Sequence, residues 1–199
     1  RYQKAKFDAG FAGINWPTEY GGQGLGHLEK VTFDAEEMKH GFPNFYFGIS
    51  LGMPVPVLMQ FGSDREFVKE RVLKALQGEE IWCQLFSEPS GGSDVAAIRT
   101  RATKVDGGWV LNGAKAFSGN AERADWTVVW ATVDPGQGRR GHRAFVIEKG
   151  TPGMEGFRTE SKMGLRSYES ISFFLNQCRV PDENLLGGAA YTEADQTKT

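Results

Sequence analysis

The sequence predicts an α+β protein in which helices come first and strands follow, with the change near residue 80. Three observations carry this. Up to residue 78, apolar side chains recur at three- and four-residue spacing between glycine and proline stops, the mark of helices with one buried face. From Ile81 onward, β-branched and aromatic residues come in short runs bounded by Gly, Asp and Pro. The two patterns do not alternate, so a parallel sheet built from βαβ units is not expected.

The first helix is expected over residues 2–12, followed by the turn Glu19-Tyr20-Gly21-Gly22-Gln23-Gly24. The second is expected over 27–40, where Leu28, Val31, Ala35 and Met38 share one face. Residues 45–61 are apolar on several sides, which predicts a buried helix with its aromatics in the core. It should be interrupted near Pro54 and Pro56, because neither proline can donate a backbone hydrogen bond. Gly62 is the expected C-cap. Ser63 with Glu66 reads as a capping box, opening a helix that turns Val68, Val72, Leu73 and Leu76 inward and stops at Gly78. Strands are expected over 81–86, 98–105, 109–111, 126–133, 144–148 and 171–175, with a tight hairpin at Asp106-Gly107-Gly108. Trp109, Trp130 and the aromatics of 171–175 fit a half-buried pleated surface and are assigned to the sheet core. After Leu186 the chain turns small and polar, and 189–199 reads as a linker or frayed end.

The chain has 199 residues, enough for one large domain or two small ones. Its 23 Lys and Arg against 25 Asp and Glu leave a net charge of −2, which gives no electrostatic case for a nucleic-acid partner. No apolar stretch approaches the roughly 20 unbroken residues of a transmembrane segment. Cys83 and Cys178 form neither a CxxC pair nor a disulfide framework and are expected as buried free thiols. His27, His40 and His142 lack ligand spacing, so no metal site is assigned. No signal pattern of charged, apolar and small residues opens the chain at Arg1.

The most informative stretch is Trp82-Cys83-Gln84-Leu85-Phe86-Ser87-Glu88-Pro89-Ser90-Gly91-Gly92-Ser93-Asp94, a strand running into a loop of small and polar residues. Successive amides in such a loop can cradle phosphate oxygens, and Ser87 and Ser93 can donate to a ring or a second phosphate. The same composition also makes an ordinary turn. The stretch has no P-loop lysine and is not a GxGxxG between strand and helix.

More of the chain narrows the reading. Gly13-Ile14-Asn15-Trp16-Pro17, Glu19-Tyr20-Gly21-Gly22, Gly78-Glu79-Glu80, Ser87-Glu88-Pro89 through Gly92-Ser93-Asp94, Asn112-Gly113-Ala114-Lys115, Lys162-Met163-Gly164, and Arg179-Val180-Pro181 through Asn184-Leu185-Leu186-Gly187 occur in one order. Together they closely resemble the acyl-CoA dehydrogenase family over nearly the whole chain. The resemblance implies an N-terminal α-helical domain over 1–80, incomplete at its start, and a middle antiparallel β-barrel or sandwich domain over 81–188. By the same resemblance, the family's C-terminal four-helix domain is expected to be missing from this chain.

What the resemblance implies for function is FAD-dependent α,β-dehydrogenation of an acyl-CoA, in lipid or sterol catabolism, with electrons passed to an electron-transfer flavoprotein. Gln84, Leu85, Phe86, Ser87, Gly92 and Ser93 match a first flavin-binding strip. Ser87 would bind the pyrimidine edge of the ring, and Ser93 would face both the pyrophosphate and the acyl-CoA. Phe117, Ser118 and Gly119 match a second strip; Phe117 keeps an aromatic face, but Gly119 has no hydroxyl where the family commonly has one, and Ser90 stands where glycine is usual. The family's catalytic base is a glutamate in the C-terminal domain, so it is expected beyond residue 199. Glu88 is assigned instead to holding its own loop. The basic loop Arg139-Arg140-Gly141-His142 is read as a solvated hairpin end, with a CoA phosphate contact as the alternative. The family implies a homo- or hetero-oligomer, a dimer of dimers, that is cytoplasmic or, in a eukaryote, in the mitochondrial matrix. The competing readings are a flavin monooxygenase or acyl-CoA oxidase of the same fold, or a non-catalytic subunit of a heteromeric dehydrogenase.

Overall fold

The computed structural model describes residues 1–41, 45–166 and 169–188. Five helices open the chain: α1 (Tyr2–Asp8), α2 (His27–Met38), α3 (Phe45–Gly52), α4 (Pro54–Phe61) and α5 (Arg65–Gln77). Seven strands follow: β1 (Trp82–Leu85), β2 (Arg101–Val105), β3 (Gly108–Gly119), β4 (Trp126–Thr132), β5 (His142–Glu148), β6 (Met154–Thr159) and β7 (Ser170–Pro181). The order of helices then strands is the one expected. The expected tail over 189–199 lies outside the described residues.

The prolines act as anticipated. The apolar segment breaks at Met53, and α4 starts with Pro54 at its first position, where the missing N–H costs no helical bond. Gly62 ends α4 in an extended conformation, and its neighbours leave no room for a side chain: a Cβ there would lie 2.3 Å from Val68 Cγ2 and 2.7 Å from the Leu58 carbonyl. The cap of α5 differs from the capping box expected on Ser63. Asp64, one residue later, accepts the amide hydrogens of Glu66 and Phe67, since a carboxylate at that position meets the exposed amides of the first turn directly.

The α2 face predicted from spacing exists but is not covered. Leu28 is 75 % exposed and Met38 73 %. The helix is held from another side, where Phe33 stacks on Phe11 at 4.8 Å and the buried Glu37 takes hydrogen bonds from Tyr2 and Lys6. Burial and the Glu37 carboxylate push the Tyr2 hydroxyl up to about 12, so it remains a donor.

The strands form one curled, mixed sheet in the order β1-β4-β2-β3-β7-β6, with β5 on the other side of β4. The pairs β2–β3, β3–β7, β6–β7 and β4–β5 are antiparallel as expected, whereas β1 and β2 run parallel to β4. The hairpin at 106–107 is tight, pairing Val105 with Gly108, and Gly107 takes the left-handed φ of 70° that the turn requires. Three strands escaped the sequence reading in whole or part. β3 continues eight residues beyond Leu111, β7 continues six beyond Leu175, and β6, with Gly and charges among its six residues, lacks a clear alternation.

Period-2 alternation along β1, β4 and β5 joins the two parts. Trp82, Trp126, Val128, Ala144 and Val146 face the helices and pack with Val55, Leu58, Val68, Val72 and Leu76. Their neighbours Cys83, Leu85, Val129, Phe145 and Ile147 face the inside of the curled sheet with Leu111, Phe173 and Val180. Trp109 meets Phe145 edge-on at 5.6 Å and Phe173 is buried, as expected of sheet-core aromatics, whereas Phe174, on the opposite face of β7, is 47 % exposed. One polar clamp adds to this seam: Ser50 Oγ on α3 accepts the Trp82 amide at 2.8 Å and donates to the Trp82 carbonyl at 2.9 Å.

Candidate functional site

Trp82, Gln84 and Phe86 lie on one side of β1 and its extension, the side toward the helices. Trp82 is taken up by the helical core, Gln84 Nε2 reaches the Met53 sulfur at 2.9 Å, and Phe86 stacks on Trp130 with ring centroids 5.0 Å apart. Past β1 the chain turns into the Ser87 loop beside the end of β3, fastened by Ala116 N–H to the Ser87 carbonyl at 2.8 Å.

Strand β3 is irregular at that point. Three steps from Lys115 to Ser118 face only two on β7, from Phe173 to Ile171, so β3 carries a bulge. Phe117 sits in it with φ of 57°, an uncommon conformation for an aromatic residue, and the residue is 67 % exposed. Together the Ser87 segment, residues 116–119, Ile49 and Met53 of the helical part, and the 161–165 loop between β6 and β7 line an open cavity of about 780 Å³.

The structure brings six of the sequence-predicted residues to this cavity: Gln84, Phe86, Ser87, Phe117, Ser118 and Gly119. Leu85 lies between them in sequence, but its side chain is fully buried in the sheet core, leaving only its backbone for a ligand. Gly92 and Ser93 lie on the exposed 91–94 loop and do not line the cavity; a Cβ at Gly92 would come 3.1 Å from Ser87 Oγ, so the loop closes tightly over that hydroxyl. Sequence reasoning missed Ile49, Met53 and the 161–165 loop as wall residues. The motif Lys162-Met163-Gly164 was visible, but nothing in it announces a cavity wall.

Beneath the cavity floor, Glu88 and Lys115 form a buried ion pair at 2.9 Å, with side-chain exposures of 5 % and 0 %. The Glu88 carboxylate also accepts the amides of Arg99 at 2.8 Å and Thr100 at 2.9 Å. Burial opposes its ionisation, but the hydrogen bonds from Thr100, Arg99 and Lys115 outweigh it and hold the carboxyl below the usual range. Burial lowers Lys115 from its ordinary value, partly offset by Glu88. Glu88 therefore holds its loop, as its assignment anticipated. Both cysteines are buried free thiols; burial and the nearby Glu169 push Cys83 up, and burial pushes Cys178 up to about 11.

The donor set suits a flat heteroaromatic cofactor. Ile49, Met53, Phe86, Phe117, Met163 and Leu165 supply apolar surface, Gln84 and Ser87 supply polar edges, and Ser118 Oγ is buried with no hydrogen-bond partner. Among the described lining residues there is no carboxylate. Among the described residues, no three or more His, Cys, Asp or Glu cluster to hold a metal, and no helix is long and apolar enough to cross a membrane.

A helical layer on a curled sheet, with a cavity at their seam, is the two-part organisation that the ordered motifs of the sequence imply. Comparison with known proteins agrees: residues 2–80 match the acyl-CoA dehydrogenase N-terminal domain and residues 83–178 the acyl-CoA dehydrogenase middle domain. The chain belongs to the acyl-CoA dehydrogenase family. It is 34 % identical over 181 residues to the mitochondrial isovaleryl-CoA dehydrogenase of Oryza sativa subsp. japonica, covering 90 % of this chain and 44 % of that protein. Among solved structures, the acyl-CoA dehydrogenase from Geobacillus kaustophilus superposes with a TM-score of 0.81 at 29 % identity, over 98 % of this chain and 52 % of the other. PigA with FAD and proline gives 0.82 at 28 % identity, over 97 % and 52 %. The chain thus spans about half the length of the relatives it matches.

Proposed function

We infer that this chain forms the flavin and thioester site of an FAD-dependent enzyme that introduces a double bond between the α and β carbons of an acyl-CoA. The observation that carries the reading is the meeting of residues 84–87 and 116–119 with Ile49 and Met53 around one cavity. When bound, FAD supplies a two-electron acceptor. Ser87 and the backbone of residues 84–87 would bind the polar edge of its ring, Phe117 would cover part of a face, and Ser118 Oγ has hydrogen-bonding capacity to spare. Ile49 and Met53 would lie against the acyl chain and keep water out, and Ser93 on the exposed loop would meet the pyrophosphate and the CoA part of the substrate. Glu88 is committed to three donors, so the base that takes the α-proton is another residue.

The same reading takes an electron-transfer flavoprotein as acceptor and a dimer of dimers as the assembly. The rice relative is mitochondrial, which supports the mitochondrial matrix as the location in a eukaryote, with the cytoplasm otherwise. The test is anaerobic titration of the full-length protein with saturated acyl-CoA thioesters while the visible absorption of the oxidised flavin is recorded. Bleaching by at least one thioester is expected. Bound flavin that stays oxidised with straight-chain, branched and dicarboxylic thioesters alike would refute the reaction.

A further inference from the structure

The buried ion pair Lys115–Glu88 does more than the loop-holding assigned to Glu88 alone, and the function proposed above makes no use of Lys115. Three separate chain segments end on this pair. Lys115 Nζ donates to Glu88 Oε1 at 2.9 Å and to the Phe86 carbonyl at 3.2 Å. The carboxylate collects the amides of Arg99 and Thr100, at the approach to β2. The Glu88 and Gly91 backbones exchange two hydrogen bonds, at 2.9 and 3.0 Å, which close the turn on the far side.

The location of Lys115 in β3 is as informative as its partners. It is the last residue before the bulge, next to Ala116, whose amide holds the Ser87 carbonyl. Consecutive carbonyls of the first strip, on Phe86 and Ser87, are therefore both held by consecutive residues of β3, one through a charged side chain and one through the backbone. Peptide planes are rigid, so fixing these two carbonyls fixes the amides on the opposite edges of the same planes, those of Ser87 and Glu88. It also fixes the direction in which the Ser87 side chain leaves the backbone. An ion pair of this kind adds little net stability over an apolar pair of equal size, because removing two charges from water offsets their attraction. Its charge-assisted hydrogen bonds are short and directional, and orientation is what they supply.

The geometry points to Lys115 as a positioning residue that, through Glu88 and the Phe86 carbonyl, locks the first strip in register with the bulged second strip and so sets the shape of the ring-binding edge at Ser87. Lys115 does not line the cavity; it acts through the backbone it holds. The inference rests on the FAD reading above for what occupies the cavity, though not for the latch itself.

The experiment compares the full-length wild-type protein with Lys115→Met, Glu88→Gln and the core variant Leu76→Ala. Leu76 is fully buried among the helices, away from the cavity, so its variant is a control for lost stability. FAD dissociation constants are measured by quenching of free-flavin fluorescence at a temperature where circular dichroism shows each variant folded, and amide hydrogen exchange is followed in the cofactor-free proteins. Lys115→Met is expected to weaken FAD binding at least ten-fold and to speed exchange of the amides at 87, 88, 99, 100 and 116, while Leu76→Ala stays within two-fold of wild type. Glu88→Gln keeps the side-chain shape and leaves Lys115 able to persist as a neutral amine; a loss of at least three-fold is expected, and this variant decides the matter if Lys115→Met does not fold. FAD affinity within two-fold of wild type in either folded ion-pair variant, or a loss matched by Leu76→Ala, would overturn the inference. If the wild-type protein itself takes up no FAD, the functional reading fails separately. Faster exchange at those five amides then still supports the latch, and unchanged exchange removes it.

Discussion

Replacing Ser50 by alanine removes one oxygen from the seam between helices and sheet, and the structure lets its cost be worked out. Ser50 is fully buried on α3, and its hydroxyl both accepts from the Trp82 amide and donates to the Trp82 carbonyl. Among the described strands β1 pairs only with β4, so on its other side Ser50 stands in for a neighbouring strand. Ser50→Ala leaves a buried N–H and a buried C=O without that partner. Each unsatisfied group costs about 1–3 kcal/mol, and with some local relaxation the expected total is about 2–4 kcal/mol. For a chain of this size, about 2–4 °C is lost per kcal/mol, so the melting temperature should fall by about 4–16 °C. Urea unfolding followed by tryptophan fluorescence checks this directly: the midpoint should drop with an unchanged slope, because the surface exposed on unfolding is the same. A loss below about 1 kcal/mol would refute the reasoning, since it would mean that the Trp82 backbone finds other partners at no cost.

Three further outcomes are expected. Leu76→Ala empties a fully buried position among Val68, Val72 and Trp82 and should cost about 2–5 kcal/mol in the same urea assay. Phe117→Ala removes an exposed ring and keeps the Cβ, and with it the unfavourable φ, so stability should change by less than about 1 kcal/mol; if FAD occupies the cavity, flavin fluorescence titration should still show weaker binding. The Glu88 carboxyl titrates below its unfolded value, so its contribution to stability is present above the ordinary carboxylate pKa of about 4.3 and is lost as pH falls through the lower folded value. Unfolding midpoints measured from pH 6 to 3 should therefore fall more steeply in wild type than in Glu88→Gln; parallel curves would show that the carboxylate is not held as described.

Much of the fold was legible because its signals are local. Helix starts and stops followed from Pro54, Gly62 and Gly78, and the 106–107 hairpin from its glycine, since each depends on the backbone freedom of one or two residues. The α5 cap was misplaced by one residue because Ser63 and Asp64 are both good caps, and only the path of the chain selects between them. The α2 stripe was read correctly as a face, yet spacing says only which side chains lie together; in this chain the face remains open. Strand β6 and the far halves of β3 and β7 were missed because their neighbours in the sheet stabilise them more than their own residues do.

The candidate site divides in the same way. Sequence by itself determined the family, the order of helices and strands, and two of the segments that meet at the cavity, because ordered motifs survive without coordinates. Only the tertiary structure decided that Leu85 turns away while Gln84 and Phe86 turn in, that a bulge swings Phe117 outward, that Ile49 and Met53 from the helical part complete the wall, and that Glu88 and Lys115 meet 27 positions apart in the chain. The reason is physical: local propensities depend on residues a few positions apart, whereas a cavity is shaped by which distant segments pack together and by where each buried polar group finds a partner.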